Sequence, residues 1–159
     1  YLPRTRWHLQ NSKNKGKFPL EPDTVMLYDG KIYVLDAKYY RYGISGNPLH
    51  LPNSSSINKQ ITYGEFIKKE FNMKNENLYN AFIMPFNSDN NCFNITTPIG
   101  NIGEAVGTWK ENDSNFERIQ GILIDTRHLI YNYLGNHKNI ISKLAKSIEE
   151  GIIENTKLY

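Results

Sequence analysis

The dipeptide Asp29-Gly30 constrains this chain more than any other feature. It lies between two runs of β-type residues, Thr24 to Tyr28 and Ile32 to Tyr40, and such a dipeptide favours a two-residue hairpin turn. If the two form the loop, Tyr28 faces Lys31 and the pairing of every later position follows: Leu27 with Ile32, Met26 with Tyr33, Val25 with Val34, Thr24 with Leu35, and Asp23 with Asp36. Directly opposed residues bring their Cβ atoms to about 4.5 to 5.5 Å. Alternation puts Lys38 on the face of Asp36. Two carboxylates and one amine thus converge at the open end of a hairpin whose faces both read as apolar: Val25, Leu27, Ile32 and Val34 on one, Met26, Tyr33 and Leu35 on the other.

Opposed like charges destabilise a sheet, so the pair needs a counter-charge. Lys38 offers one positive charge. A divalent cation offers two, and hard oxygen ligands suit Mg²⁺. A Lewis acid, a positioned water and a cation beside the developing charge are what metal-assisted phosphodiester hydrolysis requires. The bland alternative is a surface hairpin with an accidental acid pair at its open end.

The rest of the chain reads as a mixed α/β domain. Residues 1 to 22 are broken by prolines and carry Arg4, Arg6, Lys13, Lys15 and Lys17 before the first acid, Glu21. They read as a basic arm or the remnant of an upstream element, preceding a catalytic core over 23 to 159. Residues 41 to 55 read as a loop. A serine-capped helix is expected over 57 to 71, with Gly64 weakening it slightly, and a buried strand over 78 to 86. A turn follows at 87 to 91. Strands are then expected over 92 to 99, 104 to 109 and 118 to 124. Asp125 or Thr126 should cap a helix running to about Leu134, and a last helix spans 139 to 149. A mixed central sheet flanked by helices is the natural arrangement.

Composition excludes several classes. The single cysteine rules out a disulfide scaffold and a multi-cysteine zinc site, and the four histidines lack ligand spacing. No apolar run approaches the roughly 18 to 20 residues of a membrane span, and no signal peptide is evident, so the cytoplasm is the expected compartment. The chain opens on Tyr1 and not on Met, so an upstream segment is expected. A formal net charge of +3 permits a polyanionic partner without demanding one.

Pro22-Asp23 followed by Asp36-Ala37-Lys38 resembles the PD-(D/E)xK nuclease signature. The run from Leu20 to Phe66, with Gln60 and Tyr63 on the helix after the hairpin, resembles restriction endonucleases of the LlaJI type. Its layout is similar to the FokI-like cleavage domain. The resemblance implies a restriction-endonuclease-like core that hydrolyses double-stranded DNA with Mg²⁺. It makes Asp23 and Asp36 metal ligands, with the Ala37 backbone carbonyl a further one. Lys38 would orient or activate water. Gln60 would contact the scissile strand or order water, with Tyr63 packed beside it. Many such nucleases carry a further acid on a helix before the hairpin, where this chain has only the basic stretch. Each site cuts one strand, so double-strand cleavage implies a homodimer or a second cleavage or recognition subunit.

Arg4, Arg6, Lys15, Arg41 and Lys59 are the candidate phosphate contacts. The Tyr39, Tyr40, Arg41, Tyr42 cluster could stack on nucleotides, although core packing explains alternate tyrosines more often. A non-catalytic DNA-binding module and a repair or junction nuclease on the same core are the competing readings. Glycoside hydrolysis by the acid pair ranks below them because it leaves Lys38 without a role.

Overall fold

The computed structural model describes residues 4–6, 17–132, 135 and 137–156. The basic stretch is more than an arm: β1 (Arg4–Arg6) pairs antiparallel with β2 (Lys17–Pro19), Arg4 opposite Pro19. Trp7, His8, Lys13 and Lys15 lie outside the described residues.

The main sheet has five strands among the described residues, in the order β3-β4-β5-β7-β6. Strands β3 (Thr24–Tyr28) and β4 (Lys31–Ala37) form the hairpin. Asp29 and Gly30 both take positive φ, 50° and 70°, as a type I′ turn requires. The ladder runs from Tyr28 with Lys31 to Thr24 with Leu35, the register expected from the turn. One expectation needs correction. The hairpin is not buried on both faces, because β3 is an edge strand and leaves Val25 and Leu27 exposed.

The segment expected as a loop after β4 contains a short helix, α1 (Tyr42–Ser45), and a 3-10 turn over Pro48–His50. Helix α2 (Ser54–Phe71) is capped by Asn53 and not by a serine; the Asn53 side chain accepts from the Ser56 N–H. A Cβ on Gly64 would fall 2.3 Å from the Phe116 ring, so glycine here permits a close helix approach as well as weakening the helix. Strand β5 (Leu78–Phe86) lies parallel to β4 and to β7 (Ile119–Asp125). The two strands expected over 92 to 99 and 104 to 109 are replaced by one between them, β6 (Ile99–Ala105), antiparallel to β7 with an irregularity between Asn101 and Glu104. Helix α3 (Thr126–Tyr131) is shorter than expected, and α4 (His137–Asn155) longer.

The sheet is packed on both faces. Ile32, Val34 and Leu78 meet Tyr63 and Ile67 of α2 on one; Tyr33, Leu35, Ala81 and Ile122 meet Leu144, Ile148 and Ile152 of α4 on the other. This is a mixed α/β fold consistent with a restriction-endonuclease-like core.

Asp125 caps α3, accepting from the backbone N–H groups of Arg127 and His128. Burial alone would raise its pKa. Hydrogen bonds from the Ser88 hydroxyl and from the backbone N–H groups of Ser88, His128 and Arg127 outweigh burial and hold it at about 2. A depressed carboxylate pKa contributes stability above its unfolded value of about 3.8, and that stability is lost as pH falls through about 2. We expect Asp125→Asn to remove about 2 kcal/mol of unfolding free energy at pH 6 and almost none near pH 2. Urea melts at the two pH values check this; an equal loss at both would refute the linkage.

Candidate active site

The site stands at the carboxyl end of β4, where a buried carboxylate meets an exposed one. Asp36 is the penultimate residue of β4, paired with Phe82 of β5, and is 2% exposed. Asp23 is exposed and lies one residue before β3. The last ladder pair is Thr24 with Leu35, so the next step brings Asp23 alongside Asp36, and the Asp23 carboxyl is in hydrogen-bonding reach of Asp36. Lys38 continues the ladder after β4 through its N–H to the Ile83 carbonyl, at 2.8 Å. Its amine lies 2.7 Å from each Asp36 carboxylate oxygen.

Burial and the neighbouring Asp23 raise the Asp36 pKa, and the Lys38 amine offsets only part of that rise. The centre therefore holds more negative charge than one lysine satisfies, and its donors are hard oxygens. That is the environment in which a small divalent cation fits. Asp23 and Asp36 would hold it, with the Ala37 carbonyl at the same strand end. Among the described residues, no group of three or more His, Cys, Asp or Glu side chains comes together.

Helix α2 fixes both limbs of the hairpin. Gln60 is 1% exposed, and its amide donates to the Val34 carbonyl at 2.8 Å, two residues before Asp36. The Tyr63 hydroxyl donates to the Glu21 carbonyl, two residues before Asp23. One turn of helix thus anchors the chain ahead of each acid. Asn80, buried in β5, ties the helix in turn, donating to the Gln60 and Phe116 carbonyls. Gln60 was expected to touch the scissile strand or order water; its side chain is buried and its amide is held by the Val34 carbonyl. We expect Tyr63→Phe to slow any cleavage by about 10-fold through misplacement of Asp23. DNA affinity should hold, with a stability loss near 1 kcal/mol. A matched loss of affinity would show that the hydroxyl serves binding instead.

Lys59 was expected only as a phosphate contact. It stands closer to the centre than that. Its amine lies 5.5 Å from the Tyr63 ring centroid, and its pKa is raised, first by a hydrogen bond with Tyr63 and further by Asp36 and Asp23. Nothing in the sequence spacing marked Lys59 as a neighbour of the acids. Asn80 did carry a signal, as a lone amide inside the apolar run Leu78–Phe86. Arg41 is exposed at the start of α1 and makes no side-chain cap there. For Arg4 and Arg6 only the backbone of β1 is described.

A family model described as LlaJI restriction endonuclease matches residues 1–101, and the matched region contains the hairpin, both acids, Lys38 and all of α2. The chain belongs to the LlaJI restriction endonuclease family. Membership makes it a nuclease of a restriction system. No curated protein and no solved structure matches it.

Proposed function

We propose that this chain is a Mg²⁺-dependent endonuclease that hydrolyses phosphodiester bonds of double-stranded DNA, either as a type II restriction enzyme or as the cleavage domain or subunit of one. The observation that carries the proposal is the convergence of Asp23, Asp36 and Lys38 at one strand end, within a chain of this family. Asp23 and Asp36 would hold the metal ion, which would supply Lewis-acid chemistry at the phosphate. The protein's own part is to place charge. Asp36, held by its strand and by Lys38, sets the position of the acidic centre. Lys38 presents an amine within reach of both an attacking water and the phosphate oxygens, where it orients the one and offsets charge on the other. Lys59 adds a second positive charge on the α2 side.

One such centre cuts one strand. Cleavage of both strands then calls for two copies of the chain or for a partner subunit. The test is conversion of supercoiled plasmid to nicked and linear forms with Mg²⁺, with EDTA, and by Lys38→Ala. Cleavage only by the wild type with Mg²⁺ is the expected result. Undiminished cleavage by Lys38→Ala would remove the site assignment. Acid-to-amide variants that bind DNA more tightly, in a chain that never cleaves, would favour a binding module.

A further inference from the structure

Strand β4 stops at Ala37, opposite Ile83, while β5 runs on to Phe86. Beyond Ile83, among the described residues, no strand continues beside β5 on the β4 side, and Pro85, which lacks an N–H to offer, sits in that stretch. This step in the sheet forms an apolar pocket of about 140 Å³ at the carboxyl ends of β4, β5 and β7. Ile83, Pro85 and Ile124 contribute to its wall, Leu129 of α3 to its edge, and Lys38 and Tyr39 border it. The pocket lies at the same strand end as the carboxylates, lined by Ala37 and Lys38, the two residues that follow Asp36. Lys38 is common to both.

Tyr39 is 93% exposed, unlike the other two tyrosines of its cluster. Tyr40 and Tyr42 both pack against the core around Phe82 and Phe86, and Tyr42 lies 5.2 Å from the Phe93 ring. Core packing thus accounts for two of the three and leaves Tyr39 unexplained. Its ring stands in water at the border of an apolar cavity, free to stack on a flat partner.

We propose that Tyr39 and this pocket receive one nucleobase of the DNA strand whose phosphate lies at the acid pair, so that the strand is unstacked where it crosses the end of β4. The inference rests on the nuclease reading above. A nucleobase is flat and apolar on its faces, which suits stacking on Tyr39 and contact with Ile83, Pro85 and Leu129. Its own phosphate stays within reach of Lys38, the residue that joins the two surfaces. Taking a base out of a duplex costs a few kcal/mol, least at weak or distorted steps, so the pocket would also favour such steps.

The experiment separates the two readings. Plasmid cleavage by the wild type with Mg²⁺ tests the nuclease. The base pocket is tested without cleavage, by titrating the protein in Ca²⁺ with a short oligo-dT strand carrying a single 2-aminopurine. Wild type should quench the emission on binding, and Tyr39→Phe should do the same. Tyr39→Ala, at an exposed position that leaves folding intact, should bind about 5- to 100-fold more weakly without the quench. Leu129→Trp, which enlarges a side chain lining the pocket, should match Tyr39→Ala. Wild-type affinity and quenching in both variants would overturn the inference and leave the nuclease standing. A wild type that binds neither probe nor plasmid would overturn both.

Discussion

Replacing Asp36 by asparagine should lower Mg²⁺-dependent plasmid cleavage at least about 10³-fold without lowering the melting temperature of the metal-free protein. Removal of one group stabilising a transition-state charge costs about 10² to 10³ in rate; Asp36 is also a metal ligand in the proposed mechanism and pairs with Lys38. The stability half follows from burial. Asp36 is almost wholly enclosed and has Asp23 beside it, so its pKa is raised in the folded state. A raised carboxyl pKa contributes stability below the unfolded value, near 3.8, and that contribution is lost as pH rises through the folded value. At neutral pH the wild type therefore carries an unfavourable ionised pair, which asparagine relieves. A lost activity accompanied by a lower melting temperature would mean that Asp36 is structural.

The second large effect lies on the opposite edge of the sheet. Arg118→Met should cost about 3 kcal/mol of unfolding free energy. The Arg118 guanidinium reaches both oxygens of Glu104, with contacts from 3.0 to 3.3 Å, and both side chains are nearly enclosed. Gln120 also donates to Glu104, at 3.0 Å, so the acid retains one partner when the arginine goes. That places the cost at the low end of the range for stranding a buried charge. The melting temperature should fall by roughly 6 to 12 °C for a chain of this size. Glu104→Leu in the Arg118→Met background should recover most of the loss, since removing the stranded charge removes the penalty. Urea denaturation of the single and double variants checks both statements, and a single-variant loss under about 1 kcal/mol would show the pair to be solvent-screened.

How much of this could be read from the sequence follows from the range of the forces involved. The hairpin was legible to the residue because Asp29-Gly30 sets the turn and the turn sets every later pair. From that register came Asp23 beside Asp36, and from alternation came Lys38. Strand β6 was not legible. Its run Ile99–Ala105 has two glycines, no clean alternation and a break in register, and it becomes a strand only because β7 offers an open edge. The ties from α2 were equally hidden. Tyr63 and Glu21 are 42 residues apart, and Gln60 and Val34 26, and each bond ends on a backbone carbonyl, which has no sequence signature. The resemblance flagged Gln60 and Tyr63, and only packing showed what they hold.

Placing Asp23 just before an edge strand has a consequence for how the centre fails. The strand bearing Asp36 has a neighbour on each side, whereas β3 has one on a single side. Edge strands open at lower free energy than the sheet interior, often in steps well short of global unfolding. Each such opening carries Asp23 away while Asp36 and Lys38 stay paired behind it. If the proposed centre is the active one, it is complete only while its outermost strand is closed, and the Tyr63 bond to Glu21 ties the chain just ahead of that strand to α2. On the proposed mechanism, activity under heat or denaturant should then be lost with the fraying of these five residues, ahead of the melting of the fold that carries them.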